Sequence, residues 1–120
     1  MLSCFNTQRR GFFRTKYCPL ADVFKTNKGY EIQIEFPGVK KDDIIIDVEE
    51  KILNITAIKN YKQSDSAKPI HNEIKYGTVT RKFRLPSNIE TEAIEASLAD
   101  GVLTLSIPTK EKPKTEIKIL

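Results

Sequence analysis

Apolar and polar residues alternate with a period of two along most of this chain. Tyr30, Ile32, Ile34 and Phe36 interleave with Glu31, Gln33 and Glu35. That spacing predicts a strand with one buried face and one wet face. Ile44, Ile46 and Val48 repeat the pattern, with Ile45 as an apolar exception that predicts a strand apolar on both faces at one end. Leu53, Ile55 and Ala57 form one face of a returning strand, with Ile52 and Ile58 on the other. Val79, Arg81, Phe83 and Leu85 alternate again, and so do Leu103, Leu105 and Ile107. Shorter strands are expected over 21–26 and around Ala96 and Leu98.

Turn residues separate these runs. Asn27-Lys28-Gly29, Pro37-Gly38 and Glu49-Glu50-Lys51 each stand between two apolar runs. Asp100-Gly101 is the strongest hairpin signal, since Asp-Gly suits a two-residue turn with positive φ. The segment 87–95 is the one helix-compatible piece and is too short to be more than a turn. Seven or eight short strands with local turns, and no room for crossover helices, predict two packed antiparallel sheets. Two segments break the rhythm. The stretch 59–72 holds Ser64, Asp65, Ser66 and Pro69 and is long for a hairpin loop. It is a plain surface excursion or an arm that pairs outside its own sheet. At the end, beyond Pro108 and Pro113, Ile117-Lys118-Ile119 puts two isoleucines on one side of an extended peptide. Such a peptide suits a groove on another sheet.

At 120 residues the chain is expected to be one domain with tails. An N-terminal arm is expected over 1–18, a sandwich over 19–109 and a C-terminal extension over 110–120. The net charge of +4 sits wholly in the arm, in Arg9, Arg10, Arg14 and Lys16, which no acid accompanies. The remainder holds sixteen basic and sixteen acidic residues, which removes the simplest argument for nucleic-acid binding. The arm also holds Phe5, Phe12, Phe13 and Tyr17. Exposed aromatics in a tail call for a partner, and contact with client proteins or packing between subunits is expected. Folding back on its own domain and contact with a membrane surface are the alternatives. No apolar run is long enough to span a bilayer, so no membrane insertion is expected. The start lacks the apolar region of a secretory signal, and a cytoplasmic location is expected, with an organelle-targeting leader as the alternative.

Candidate chemistry is sparse. Cys4 and Cys18 match no metal or redox spacing and read as free thiols in a reducing compartment, with a bridge between two subunits' arms as the alternative. His71, the one histidine, lies in the polar excursion without companions at ligand spacing. There is no nucleophile elbow or phosphate-binding glycine loop, and Asp42-Asp43 and Glu49-Glu50 fall in turns. No enzyme activity, cofactor or metal is expected. Arg81 interrupts an apolar register and calls for a carboxylate or backbone carbonyls. An interface role and a solvated rim position both stay open for it.

With these residues in view, the chain resembles the small heat-shock proteins, the alpha-crystallin-domain chaperones of microbial and plant type. Ala96-Ser97-Leu98-Ala99-Asp100-Gly101-Val102-Leu103 resembles the family's signature hairpin. Phe36-Pro37-Gly38-Val39 with Asp43-Ile44 looks like its early Pro-Gly turn. Tyr76-Gly77 with Arg81, Phe83, Leu85 and Pro86 stands where a third motif would, and Ile117-Lys118-Ile119 resembles the terminal I-x-I anchor. Val79 stands where phenylalanine is frequent, and Glu73-Ile74 where an acid followed by arginine is common.

The resemblance covers about 18–120 and implies an immunoglobulin-like antiparallel β-sandwich acting as an ATP-independent holdase. It implies a strand near Ile70, His71 and Asn72 exchanged between subunits, with Tyr61 and Arg81 at the same dimer interface. It also implies that Ile117 and Ile119 dock on another dimer, in a groove made by Ile44, Ile46 and Val48 on one side and Ala96 and Leu98 on the other. Partners are then copies of itself and unfolding client proteins, with no nucleic acid. A co-chaperone or scaffold module docking on an ATP-driven machine is the alternative.

Overall fold

The computed structural model describes the backbone of residues 2–6 and all atoms of 18–61, 64–110 and 116–120. Among these residues are eight strands: β1 (Leu2–Asn6), β2 (Ala21–Lys25), β3 (Gly29–Glu35), β4 (Ile44–Glu49), β5 (Ile52–Lys59), β6 (Gly77–Arg84), β7 (Glu95–Ala99) and β8 (Val102–Pro108). They form two antiparallel sheets, ordered β1-β6-β5-β4 and β2-β3-β8-β7. Short 3-10 turns at Lys41–Asp43 and Thr91–Ala93 are the helical pieces among the described residues.

The period-two pattern explains the packing. Ile32 and Ile34 on β3 and Leu103, Leu105 and Ile107 on β8 face Leu53, Ile55 and Ala57 on β5 and Val79 and Phe83 on β6. All are buried, so each sheet hides the apolar face of the other. Ile45, the exception to the alternation, lies on the outer face of β4 and is exposed. The outer face of the first sheet is held by polar cross-strand pairs, Thr56 with Thr80 at 3.1 Å and Asn54 with Asp47 at 3.0 Å.

Two hairpins have two-residue loops with positive φ at both positions. In β7–β8 these are Asp100 (φ 53) and Gly101 (φ 75), residues suited to the left-handed region. In β4–β5 they are Glu50 (φ 49) and Lys51 (φ 65), which are not. Gly29 begins β3 against the end of β8, where any Cβ would strike the Ile107 carbonyl.

The expectations for 21–26, 30–36, 44–49, 52–58, 79–85 and 102–107 meet strands to within two residues at either end. One strand had no counterpart in the pattern: Leu2–Asn6, within the segment assigned to the arm, pairs with β6. No strand forms over the described part of the 59–72 excursion beyond Lys59.

Candidate functional site

The sandwich has four outermost strands, and they differ. β1 covers the β6 edge of the first sheet, and β4 ends that sheet on the other side. β2 and β7 end the second sheet. Arg81 on β6 reaches Pro19 just ahead of β2, and a cavity of about 310 Å³ is lined by Val23 of β2, Tyr30 of β3 and Phe83 of β6. The β6 side of one sheet therefore stacks on the β2–β3 side of the other. β4 then lies on the β7–β8 side.

That stacking brings the expected groove residues to one flank. Ile44, Ile46 and Val48 on β4 and Leu98 on β7 are half-buried against the rim of the core. Ala96 is exposed on β7. The inner surfaces of Ile44, Ile46, Val48 and Leu98 touch the core, and among the described residues β4 and β7 each have one edge without a neighbouring strand. Ile117 and Ile119 do not occupy this flank within the chain: they are 85% and 95% exposed.

The expected dimer residues divide. Ile70 is 101% exposed, and His71 and Asn72 are exposed beside it. His71 Nε2 lies 3.0 Å from Glu73 Oε2, an exposed contact within the excursion. Tyr61 meets Tyr76 edge to face, with ring centroids 4.9 Å apart, and the Lys59 ammonium lies 5.9 Å from the Tyr76 centroid. These three pinch the base of the excursion.

Arg81 behaves differently from all of these. It is 6% exposed, the buried charged side chain among the described residues, which excludes a solvated rim position. Its guanidinium donates a hydrogen bond to the Pro19 carbonyl and lies over the Phe83 ring at 5.3 Å. Burial pushes its pKa below the ordinary value, yet arginine keeps its charge under physiological conditions. A backbone carbonyl answers the donor, as the chemistry requires.

For the expected client contacts, Phe5 is placed by its backbone on β1, opposite Thr80. Phe12, Phe13 and Tyr17 lie outside the described residues. The cysteine expectation needs correction: Cys18 is disulfide-bonded, so the chain does not carry two free thiols. The sequence also did not show the exposure of Leu20 just ahead of β2 and of Val23 and Phe24 on it. The short strand expected over 21–26 could not reveal that, among the described residues, β2 has no neighbour on one side. Among the described residues no three His, Cys, Asp or Glu side chains gather as a metal site, and no helix is long and apolar enough to cross a membrane.

An all-β, immunoglobulin-like sandwich with its own core and, among the described residues, open strand edges and exposed isoleucines outside the body defines the class by its fold. The chain belongs to the Hsp20/alpha crystallin family, whose pattern matches residues 22–120. Members of that family are non-catalytic. The chain is 38% identical over 98 residues to small heat shock protein C2 of Rickettsia felis, covering 81% of this chain and 64% of that protein. It is 30% identical over 118 residues to an 18.5 kDa class I heat shock protein of Glycine max, covering 97% of this chain and 71% of that one. Heat shock protein 16.0 of Schizosaccharomyces pombe superposes with a TM-score of 0.72 at 28% identity, covering 85% of this chain and 96% of that one. A small heat-shock protein of Xylella fastidiosa gives 0.75 at 24% identity, covering 87% and 96%, and shares the fold.

Proposed function

We propose that this chain is an ATP-independent holdase, a stress-response chaperone that binds partly unfolded proteins and keeps them from aggregating. Family membership supports a chaperone role in general. The observation that carries the finer reading is the set of isoleucines held out on extensions. Ile70, Ile117 and Ile119 are exposed although the body already has a complete core. Large apolar side chains in water are stabilised when another chain covers them.

Assembly follows from the edges. The excursion near Ile70, His71 and Asn72 adds as a strand to the open side of β2 in a second copy, with reciprocal exchange making a dimer. Tyr61 and Tyr76 fix where that excursion leaves the body. Arg81 supports the interface from behind by holding Pro19, the residue that leads into β2. Ile117 and Ile119 dock on the flank between β4 and β7 of another dimer. Burying two isoleucines contributes roughly 3 to 6 kcal/mol before ordering costs, weak enough to exchange and strong when repeated. An undocked extension leaves the flank for client segments, and the aromatic arm adds further apolar contact. The relative from Xylella is described as having a distinct high order structure, in keeping with self-association here.

A heat-labile enzyme warmed with the chain and no nucleotide tests the reading by light scattering. The chain is expected to suppress scattering at near-stoichiometric ratios, and removal of residues 1–16 to weaken that protection. Aggregation at the same rate with and without the chain would overturn the holdase reading.

A further inference from the structure

Cys18 is exposed and disulfide-bonded, and it immediately precedes Pro19, whose carbonyl the buried Arg81 guanidinium holds. On the other side of β6, β1 runs antiparallel with Cys4 in register with Arg81. The sequence contains two cysteines, Cys4 and Cys18. One residue of β6 thus neighbours both the strand that carries Cys4 and the segment that carries Cys18. We propose that Cys4 and Cys18 form a reversible redox tie that locks β1 onto the edge of the first sheet, and that a dithiol reductant releases it.

The physical argument concerns the weakness of β1. It is five residues long and pairs with a single neighbour. Short strands on an edge contribute little by themselves. Closing the fifteen-residue ring from 4 to 18 removes loop entropy from every state in which β1 has left β6. That closure favours the paired state by roughly a hundredfold for a ring of this size. At its other end the tie is anchored, because Arg81 fixes Pro19 from within the sandwich. Exposure at Cys18 leaves the bond open to attack, and exposed disulfides are the labile ones.

The exchange is balanced. A thiolate of the dithiol attacks one sulfur, the S–S bond breaks, and the other cysteine leaves as a thiolate that takes up a proton. The second thiol of the reductant then attacks the reductant's own sulfur in the mixed disulfide, that S–S bond breaks, and the first cysteine leaves as a thiolate that also takes up a proton. The chain gains two electrons and two protons, and the reductant becomes a cyclic disulfide. Release of β1 frees the β6 edge for an extended apolar segment. It also unties the segment bearing Phe5, Phe12, Phe13 and Tyr17. The consequence for clients rests on the holdase reading; the tie itself does not.

The full chain, oxidised with glutathione disulfide or reduced with dithiothreitol, tests the tie by thiol titration, non-reducing electrophoresis and amide hydrogen exchange. Oxidation is expected to leave no titratable thiol and no covalent dimer. Reduction is expected to yield two thiols and to speed exchange at residues 2–6 by at least about tenfold, with β3, β5 and β8 unchanged. Cys4→Ser and Cys18→Ser, each under oxidant with its remaining thiol alkylated, are expected to match the reduced chain. Persistence of both thiols after oxidation, a covalent dimer, or equal exchange at residues 2–6 in the two states would overturn the tie. The scattering assay in each redox state reads the second consequence. Stronger protection in the reduced state supports it, and equal or weaker protection overturns it while leaving the tie standing.

Discussion

Isoleucine occupies two opposite settings in this molecule. In the sandwich, Ile34 and Ile55 are 0% exposed, enclosed by both sheets. On the excursion and the C-terminal extension, Ile70, Ile117 and Ile119 stand in solvent. The same side chain therefore stands in two settings with different consequences. Inside, burial stabilises the single chain. Outside, on the proposed reading, burial waits until another chain supplies the surface, and it would then stabilise an assembly. A body that has already satisfied its apolar groups can lose a partner without unfolding, which is what reversible assembly requires.

The largest effect that separates these settings is a cavity in the core. Ile55→Ala is expected to destabilise the chain by about 2 to 5 kcal/mol, read by chemical denaturation. A loss below about 1 kcal/mol would mean that the sheets do not enclose Ile55 as described. Next comes the link between body and β2. Arg81→Leu removes the donor from the Pro19 carbonyl and is expected to cost about 1 to 3 kcal/mol, with faster amide exchange in β2. Arg81→Lys is expected to restore only part of this, because an ammonium cannot reproduce the planar contact over Phe83. The smallest effect has the opposite sign. Glu50→Asn with Lys51→Gly places turn-forming residues at two positive-φ positions and is expected to raise stability by about 1 kcal/mol. None of the three is expected to change the assembly through the Ile117 and Ile119 extension.

The body was largely legible in the sequence because alternation is a local signal. Each strand from Ala21 to Pro108 carries its own apolar face, and Asp100-Gly101 marks its hairpin directly. Three features were not legible, each for a reason of distance. Leu2–Asn6 is too short to distinguish itself from a tail until β6 is available to pair with it. The partner of Arg81 is a carbonyl 62 residues away, and no spacing rule anticipates it. The state of Cys18 depends on where the chain ahead of it lies, which cysteine spacing does not specify. The β4 residues expected to line a groove were readable as a strand face. Their juxtaposition with the β7 side came only from the stacking of the sheets.

The central claim is that the ends assemble and the body folds alone. The most direct measurement is the native mass and thermal melting of Ile117→Ala with Ile119→Ala beside the unaltered chain. A smaller particle with a subunit fold of unchanged stability, within about 0.5 kcal/mol, is the predicted result. An unchanged mass, or a subunit that no longer folds, would contradict it.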